Sequence, residues 1–409
     1  MDNHKFRENF PFIGRFLASN NCRLLAKFVG VVFVYEIFIL VVIFLFDYYP
    51  FYGMPAFQEK VLPYTLLLRW DSVHYLSMAA SEHLTSGVFF PLYPLLIKIF
   101  GGSSVEGFFI SWLSLTLALF FFYKLMLPKE DEKVIKKTLL FLLIAPNAIF
   151  FSMIYTESLF LFLSLACFYF LQQKRWWLAG IFGFFLALTR NVGIFLFPVF
   201  WVAYWQANWS IVDQLSINWI RKIWLIFKKK WHSGLAWSLL IPGGLASYML
   251  LCYLQSGDAL SFVHNQASWH EYRTFVWPWK FFGAMTHYLF YYKVNFFDFF
   301  SNNPQGLYDY VRVFAFSGTA YIFTAFAAIY FLVKKYWSYA AYVLLNLILF
   351  STIFPLCSVE RYVVVIFPTY LMLAKASSKR DWLFYFILMF SALFFIFNLF
   401  RITHGWWLG

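Results

Sequence analysis

Long apolar runs separated by short polar loops set the pattern of this chain. Residues 29–47 form a first run, long enough as a helix to cross about 30 Å of hydrocarbon. Further runs follow at 105–127, 138–153, 158–171, 233–254, 309–333, 337–356, 362–375 and 382–400. Residues 176–206 differ, because two short apolar runs flank Thr189-Arg190-Asn191. Each is shorter than the roughly 20 residues of a full crossing. Broken helices of this kind are tolerated only inside protein or along a cavity. The pattern predicts two short helices meeting at Arg190, with Arg190 directed into an outward-facing cavity. Counting that pair as two, it predicts an all-α, polytopic membrane protein of about 11 crossings.

The polar segments orient these runs. Residues 1–28 carry Lys5, Arg7, Arg15, Arg23 and Lys27 against Asp2 and Glu8, which places the N-terminus in the cytoplasm. Basic loops recur at 124–137, 172–175, 207–232, 334–335 and 375–380, always on the same side. The exoplasmic side then receives a first loop at 48–104 and a larger one at 255–308. Within the first, Pro91 and Pro94 interrupt the run Val88–Leu96. That predicts amphipathic helices lying along the interface, one of them over 72–83. No fixed-period repeat and no separate soluble domain is visible, so residues 1–409 read as one transmembrane domain.

Composition supports the membrane reading. Only 12% of residues are charged, about half the soluble norm, and 25% are aromatic. The net charge of +13 lies in short loops beside apolar runs, where cytoplasmic topogenesis explains it better than nucleic acid. Cys22, Cys167, Cys252 and Cys357 show neither metal spacing nor a disulfide framework. The first run is too long for a signal-peptide core and reads as a retained anchor.

Candidate chemistry begins in Leu66–Tyr75, where Arg69, Asp71 and His74 sit at the membrane edge. Ionisable groups there are costly unless paired or solvated. Asp71, Glu157, Arg190, Asp258 and Arg361 all fall on the exoplasmic side of the predicted topology. One reading is a transferase using a lipid-linked phosphosugar, with an aspartate as general base and arginines on the phosphate. The other is a transporter or flippase with broken helices around a midplane site. Charges at span ends and dissimilar halves favour the enzyme. A plain scaffold is the weakest reading, having no need of Arg190. Structural alternatives stand beside each role. Arg69 and Asp71 pair with each other, or Asp71 is free to act. Glu157 orients an acceptor hydroxyl or pairs with Arg190, and Arg361 binds phosphate or pairs with Glu360. Asp258 reads as a turn residue. His74 shares a helix face with Asp71 or is an interface side chain. Glu36, inside the first run, reads as protonated or turned toward the bundle.

An ordered set of motifs resembles the GPI mannosyltransferase 2 (PIG-V) family. They are Arg69-Trp70-Asp71 with His74-Tyr75, and Phe89-Phe90-Pro91-Leu92-Tyr93-Pro94. Ala145-Pro146 to Phe151-Ser152, Tyr155-Thr156-Glu157-Ser158, Thr189-Arg190-Asn191-Val192-Gly193 and Glu360-Arg361-Tyr362 continue the series. The resemblance runs from about 65 to 375 and implies a GT-C glycosyltransferase, inverting and metal-independent. It implies mannose transfer from a polyprenyl- or dolichyl-phosphate donor to a glycolipid acceptor, which in eukaryotic members is the second GPI mannose. No cofactor beyond the lipid-phosphate donor is expected, and a small membrane subunit is an expected partner. By the same resemblance Asp71 matches the family's first-loop aspartate, the expected base. Arg190 and Arg361 are expected on the donor phosphate. Arg69, Trp70, His74, Glu157, Gln266 and Tyr362 are expected at the acceptor. Compact loops, the Gly257–Phe262 loop with Gln266 and Trp269, and the terminal Gly405-Trp406-Trp407 are similar to bacterial members. They point to a bacterial plasma membrane in preference to the endoplasmic reticulum. The sequon Asn208-Trp209-Ser210 falls on the cytoplasmic side and gives no support to the latter.

Overall fold

The computed structural model describes residues 20–48, 63–81, 88–213, 234–265, 316–352 and 358–404, with 277, 280 and 283. Gln266, Trp269, His270, Glu271, Cys357, the basic positions 221–230 and Gly405-Trp406-Trp407 lie outside the described residues.

The elements are helical. The chain runs through α1 (Asn20–Tyr48), α2 (Asp71–Ala80), α3 (Leu92–Phe100), α4 (Ser104–Met126) and α5 (Glu132–Leu143). Then come α6 (Glu157–Gln172), α7 (Trp176–Ala187), α8 (Leu196–Asp213) and α9 (Leu240–Ser256). The last third holds α10 (Gly318–Val333), α11 (Trp337–Phe350), α12 (Val359–Val363), α13 (Phe367–Ala376) and α14 (Asp381–Thr403).

Among the described residues, four stretches are long and apolar enough to cross a membrane by length and composition. They are Asn20–Asp47, Ser104–Met126, Leu235–Ser256 and Asp381–Thr403. The shorter apolar helices are Glu157–Gln172, Trp176–Ala187, Gly318–Val333 and Trp337–Phe350. Two expected crossings are helical over only part of their length. The 138–153 run is the end of α5, then a turn at Pro146, then a 3₁₀ turn over Ala148–Phe151. The 362–375 run is split between α12 and α13, with Pro368 in the first turn of α13. Proline removes a backbone donor and biases the residue before it away from helix, so hydropathy alone overstates helix length here.

Outer faces are apolar. Phe33, Val34 and Phe44 of α1 and Trp382, Tyr385, Phe386, Met389 and Leu393 of α14 are exposed. Val32, Ile39 and Ile43 of α1 turn inward instead. Contiguous apolar surface of this kind suits lipid and not water. At the centre, α6 packs between α4 and α7 and is buried from Glu157 through Leu161. Two helices do form in the segment that carries Asp71 and the prolines, α2 burying Ser72, Tyr75, Met78 and Ala79. Pro91 caps α3 and Pro94 lies in its first turn, where a missing N–H costs nothing.

One end of the bundle is tied by lysines. Lys137 Nζ lies 2.8 Å from Asp381 Oδ1, and Lys375 Nζ lies 2.6 Å from Glu130 Oε1. The sequon residue Asn208 is buried in α8, its amide donating to the Tyr204 carbonyl at 2.7 Å. It is closed to modification in the folded protein.

Helix α7 and the 3₁₀ turn Leu235–Leu239, which leads into α9, meet backbone to backbone. A Cβ at Gly180 would stand 2.3 Å from the Trp237 carbonyl oxygen, so only glycine fits. Small residues at such crossings replace the hydrophobic drive that lipid does not supply. Gly180→Val should therefore lower the melting temperature in detergent, at a cost of about 1–3 kcal/mol from overpacking. Gly30→Ala, which meets nothing within 4 Å, should leave it unchanged. Equal melting of the two variants would contradict this packing.

Candidate active site

Four ionisable side chains from four distant segments form one buried chain of ion pairs. Asp71 begins α2, Glu157 begins α6, Arg190 lies at the break between α7 and α8, and Arg361 lies in α12. Arg361 Nη1 stands 2.7 Å from Asp71 Oδ2, and Arg361 Nε stands 2.5 Å from Glu157 Oε1. Arg190 Nη1 reaches the same Glu157 oxygen at 2.7 Å. Asp71, Arg190 and Arg361 are less than a tenth exposed, and Glu157 is fully buried. Two carboxylates and two guanidiniums cancel, which is what makes their burial tolerable.

The backbone aims these groups. Trp70, just before Asp71, has φ 54°, and Ser358, just before α12, has φ 63°. Both lie in the left-handed region that non-glycine residues adopt at a cost of about 1–3 kcal/mol, typically where surroundings over-determine them. Both members of the Asp71–Arg361 pair thus follow a strained turn. The Asp71 N–H donates to the Tyr155 hydroxyl at 3.2 Å, and that hydroxyl donates to the Arg69 carbonyl at 3.3 Å. At the helix break, Arg190 is extended and Gly193 passes close to α7. A Cβ at Gly193 would stand 2.4 Å from the Leu186 carbonyl oxygen.

Aromatic rings cover the guanidiniums. Arg361 Cζ lies 4.5 Å from the Tyr155 ring centre and 5.0 Å from that of Phe150, and Arg190 Cζ lies 4.7 Å from that of Tyr362. Desolvated cation–π contacts of this type are worth about 2 kcal/mol. Tyr75 meets Phe89, Tyr93 and Tyr155 edge to face at 5.2, 5.3 and 6.5 Å. His74, one turn after Asp71, stacks on Phe89 at 4.8 Å.

Of the residues expected on the exoplasmic side, Asp71, Glu157, Arg190 and Arg361 come together. Asp258 does not join them. It is a surface turn residue, accepting from the Leu260 N–H at 2.9 Å and pairing with His264 at 2.7 Å. The His264 hydrogen bond and then the Leu260 N–H hold its carboxyl below the usual value.

Two pairing alternatives, Arg69–Asp71 and Glu360–Arg361, do not form, and a third, Glu157–Arg190, does. Asp71 pairs with Arg361 and not with neighbouring Arg69, because α2 turns its carboxylate inward. Arg361 pairs with Asp71 and Glu157 and not with Glu360, whose carboxylate accepts from the Ser317 hydroxyl. Arg190 is buried on Glu157 beneath Tyr362, where an outward-facing cavity was expected. Glu36 turns toward the bundle, accepting from the Ser152 hydroxyl at 2.8 Å. Arg401, one residue past the last apolar run 382–400, is buried within α14 and donates to Asn398 Oδ1 at 3.0 Å. Tyr155 and Phe150 carry no expected role in the sequence reading. Their signal was the run Phe150–Ser158, which links the aromatic cover to Glu157 in one turn.

Among the described residues no group of three His, Cys, Asp or Glu side chains is arranged to hold a metal ion. Glu157 Oε2 is buried without a hydrogen-bond partner. Glu157→Gln keeps the shape but leaves two guanidiniums against one carboxylate. Removing one partner of a buried pair costs about 3–5 kcal/mol, so this variant should lose folded protein in detergent size-exclusion profiles. Asp258→Asn, at the surface, should not. A Glu157→Gln variant as stable as wild type would show that the ion chain does not hold the segments together.

No protein-family model, curated protein or solved structure matches the chain.

Proposed function

We propose that the protein is a membrane glycosyltransferase moving a sugar, by the motif resemblance mannose, from a polyprenyl-phosphate donor to a glycolipid hydroxyl. The observation that carries this reading is the buried Asp71–Arg361 pair, which sets a carboxylate beside a guanidinium next to the helix α2 turn. A phosphoryl group is a natural competitor for such a guanidinium, because the planar fork matches phosphate as well as carboxylate. In the proposed reaction the donor phosphate draws Arg361 from Asp71 and frees Oδ2. Asp71 then takes the proton of the acceptor hydroxyl as its oxygen attacks the anomeric carbon. The bond between that carbon and the phosphate oxygen breaks, and the lipid phosphate leaves with its electron pair, stabilised by Arg361 and Arg190. Inversion at the anomeric carbon follows from this single displacement. The acceptor roles proposed for Arg69, Trp70, His74 and Tyr362 rest on their nearness in sequence to Asp71 and Arg361. Glu157 acts in this reading through the arginines, holding both on one oxygen.

A transporter remains the second reading, favoured by the helix break at Arg190. The eleven-crossing topology, the exoplasmic position of the cluster, and the bacterial plasma membrane belong to the proposal.

Asp71→Asn also breaks a buried pair, so it is assayed on the folded fraction recovered by size exclusion. That fraction should bind labelled polyprenyl-phosphate mannose and fail to transfer the sugar. General base catalysis contributes about 10²–10⁴-fold, so residual activity above roughly a tenth would remove Asp71 from the base role. Arg361→Lys keeps the charge and loses the fork, so donor affinity should fall while the protein still folds. Unchanged transfer kinetics would leave Arg361 a structural partner only. Movement of labelled lipid across the membrane, with no product formed, would favour the transporter.

A further inference from the structure

A second polar site lies at the far end of α6. Glu157 opens this helix in the ion cluster, and Gln172 closes it 15 residues later, a rise of about 23 Å. There a cavity of about 300 Å³ opens between the ends of α4, α6 and α11 and the side of α8. Lys129, Lys174, Gln172, Gln206, Ser338 and Tyr339 contribute its polar lining, with Leu125, Phe168 and Leu171 forming an apolar floor.

Its chemistry is cationic. No carboxylate is among the lining residues, and the nearest in sequence, Glu130, is bound by Lys375 at 2.6 Å. Lys375 also donates to the hydroxyl of Tyr336, on the same wall, at 3.1 Å. Lys129 Nζ stands 5.9 Å from the Tyr339 ring centre. Lys174, two residues past the end of α6, is in the left-handed conformation, φ 56°. The Ser338 hydroxyl donates to Gln206 Oε1, closing one side.

Two polar atoms here are left over. Tyr339 is 5% exposed, and its hydroxyl has no hydrogen-bond partner among the described residues. Gln172 Oε1 is likewise buried and unpartnered. Buried polar groups are normally satisfied, so two in one cavity wall call for a ligand that hydrogen-bonds there.

We propose that this cavity binds a phosphate group, held by Lys129 and Lys174, with Tyr339 and Gln172 supplying hydrogen bonds. Apolar floor residues beside the lysines suit a phospholipid headgroup with its first chain carbons. By the basic-loop pattern this end faces the cytoplasmic leaflet, where anionic lipid is enriched. Free phosphate offers the same chemistry. The site is separate from the Asp71 cluster and stands whether or not the sugar-transfer reading does.

The test is native mass spectrometry of the full chain in detergent, with phosphatidylglycerol or phosphatidylcholine added. A parallel arm records melting with inorganic phosphate. Lys129→Gln with Lys174→Gln should weaken phosphatidylglycerol retention roughly 10- to 30-fold, at about 1 kcal/mol per lysine near an anionic headgroup. Ala207→Trp, which fills the cavity and keeps both lysines, should do the same. Lys334→Gln, an exposed lysine outside the lining, should not. Loss of lipid adducts identifies a headgroup site, and loss only of stabilisation by inorganic phosphate identifies a free-phosphate site. Equal lipid retention and equal phosphate response in wild type and the double variant would overturn the proposal. So would an equal loss in Lys334→Gln.

Discussion

A neutral chain of four buried charges, Asp71–Arg361–Glu157–Arg190, is the constraint on which the site depends. Each member alone would be costly in a nearly dry interior, and together they cancel. The requirement is geometric as well as electrostatic. One Glu157 oxygen serves both arginines, so α6, the α7–α8 break and α12 must all arrive at one point. Asp71 adds α2 to that convergence. Strained turns at Trp70 and Ser358 are the local cost of delivering the pair.

Around this chain the packing is aromatic where a soluble protein would use water. Tyr155, Phe150 and Tyr362 cover the guanidiniums, and Tyr75 fills the space between Tyr155 and Phe89. Rings provide a polar face to a cation without a competing hydrogen bond. In the proposed reaction this lets the arginines exchange a carboxylate for another anion of the same geometry. The same sequence composition serves the outer surface, where α1 and α14 present Phe, Trp and Tyr outward. A high aromatic content therefore has two physical origins in this chain.

Much of this was legible in the sequence, and the limits have physical causes. The helix break was visible because two short apolar runs met at Thr189-Arg190-Asn191, and α7 and α8 do separate there. Short helices on either side of residue 88 were expected from the sequence, and α2 and α3 form there, with Pro91 and Pro94 at the start of α3. Helix lengths were less so. Hydropathy does not register the Pro146 turn, and it begins α1 at residue 29 although the helix starts at Asn20. Polar residues such as Arg23 and Lys27 continue a helix beyond its apolar part. Alternating loop charge led to the expectation that Asp71, Glu157, Arg190 and Arg361 lie near one another, and they do. Their bonds did not follow from it, because pairing depends on which of several nearby opposite charges the tertiary fold brings within 3 Å. Neighbours in sequence, Arg69 and Glu360, were the natural candidates, and neither is the partner. Asp258 read as a turn residue, and it is one.

The proposed chemistry turns on one step, in which Arg361 exchanges Asp71 for a donor phosphate. The most direct measurement is an experimental structure of the protein with polyprenyl monophosphate bound. Phosphate oxygens should then stand within hydrogen-bond distance of Arg361 or Arg190, with the Asp71 carboxylate released and facing the phosphate. Phosphate bound away from these arginines, with all three ion pairs of the chain intact, would contradict it.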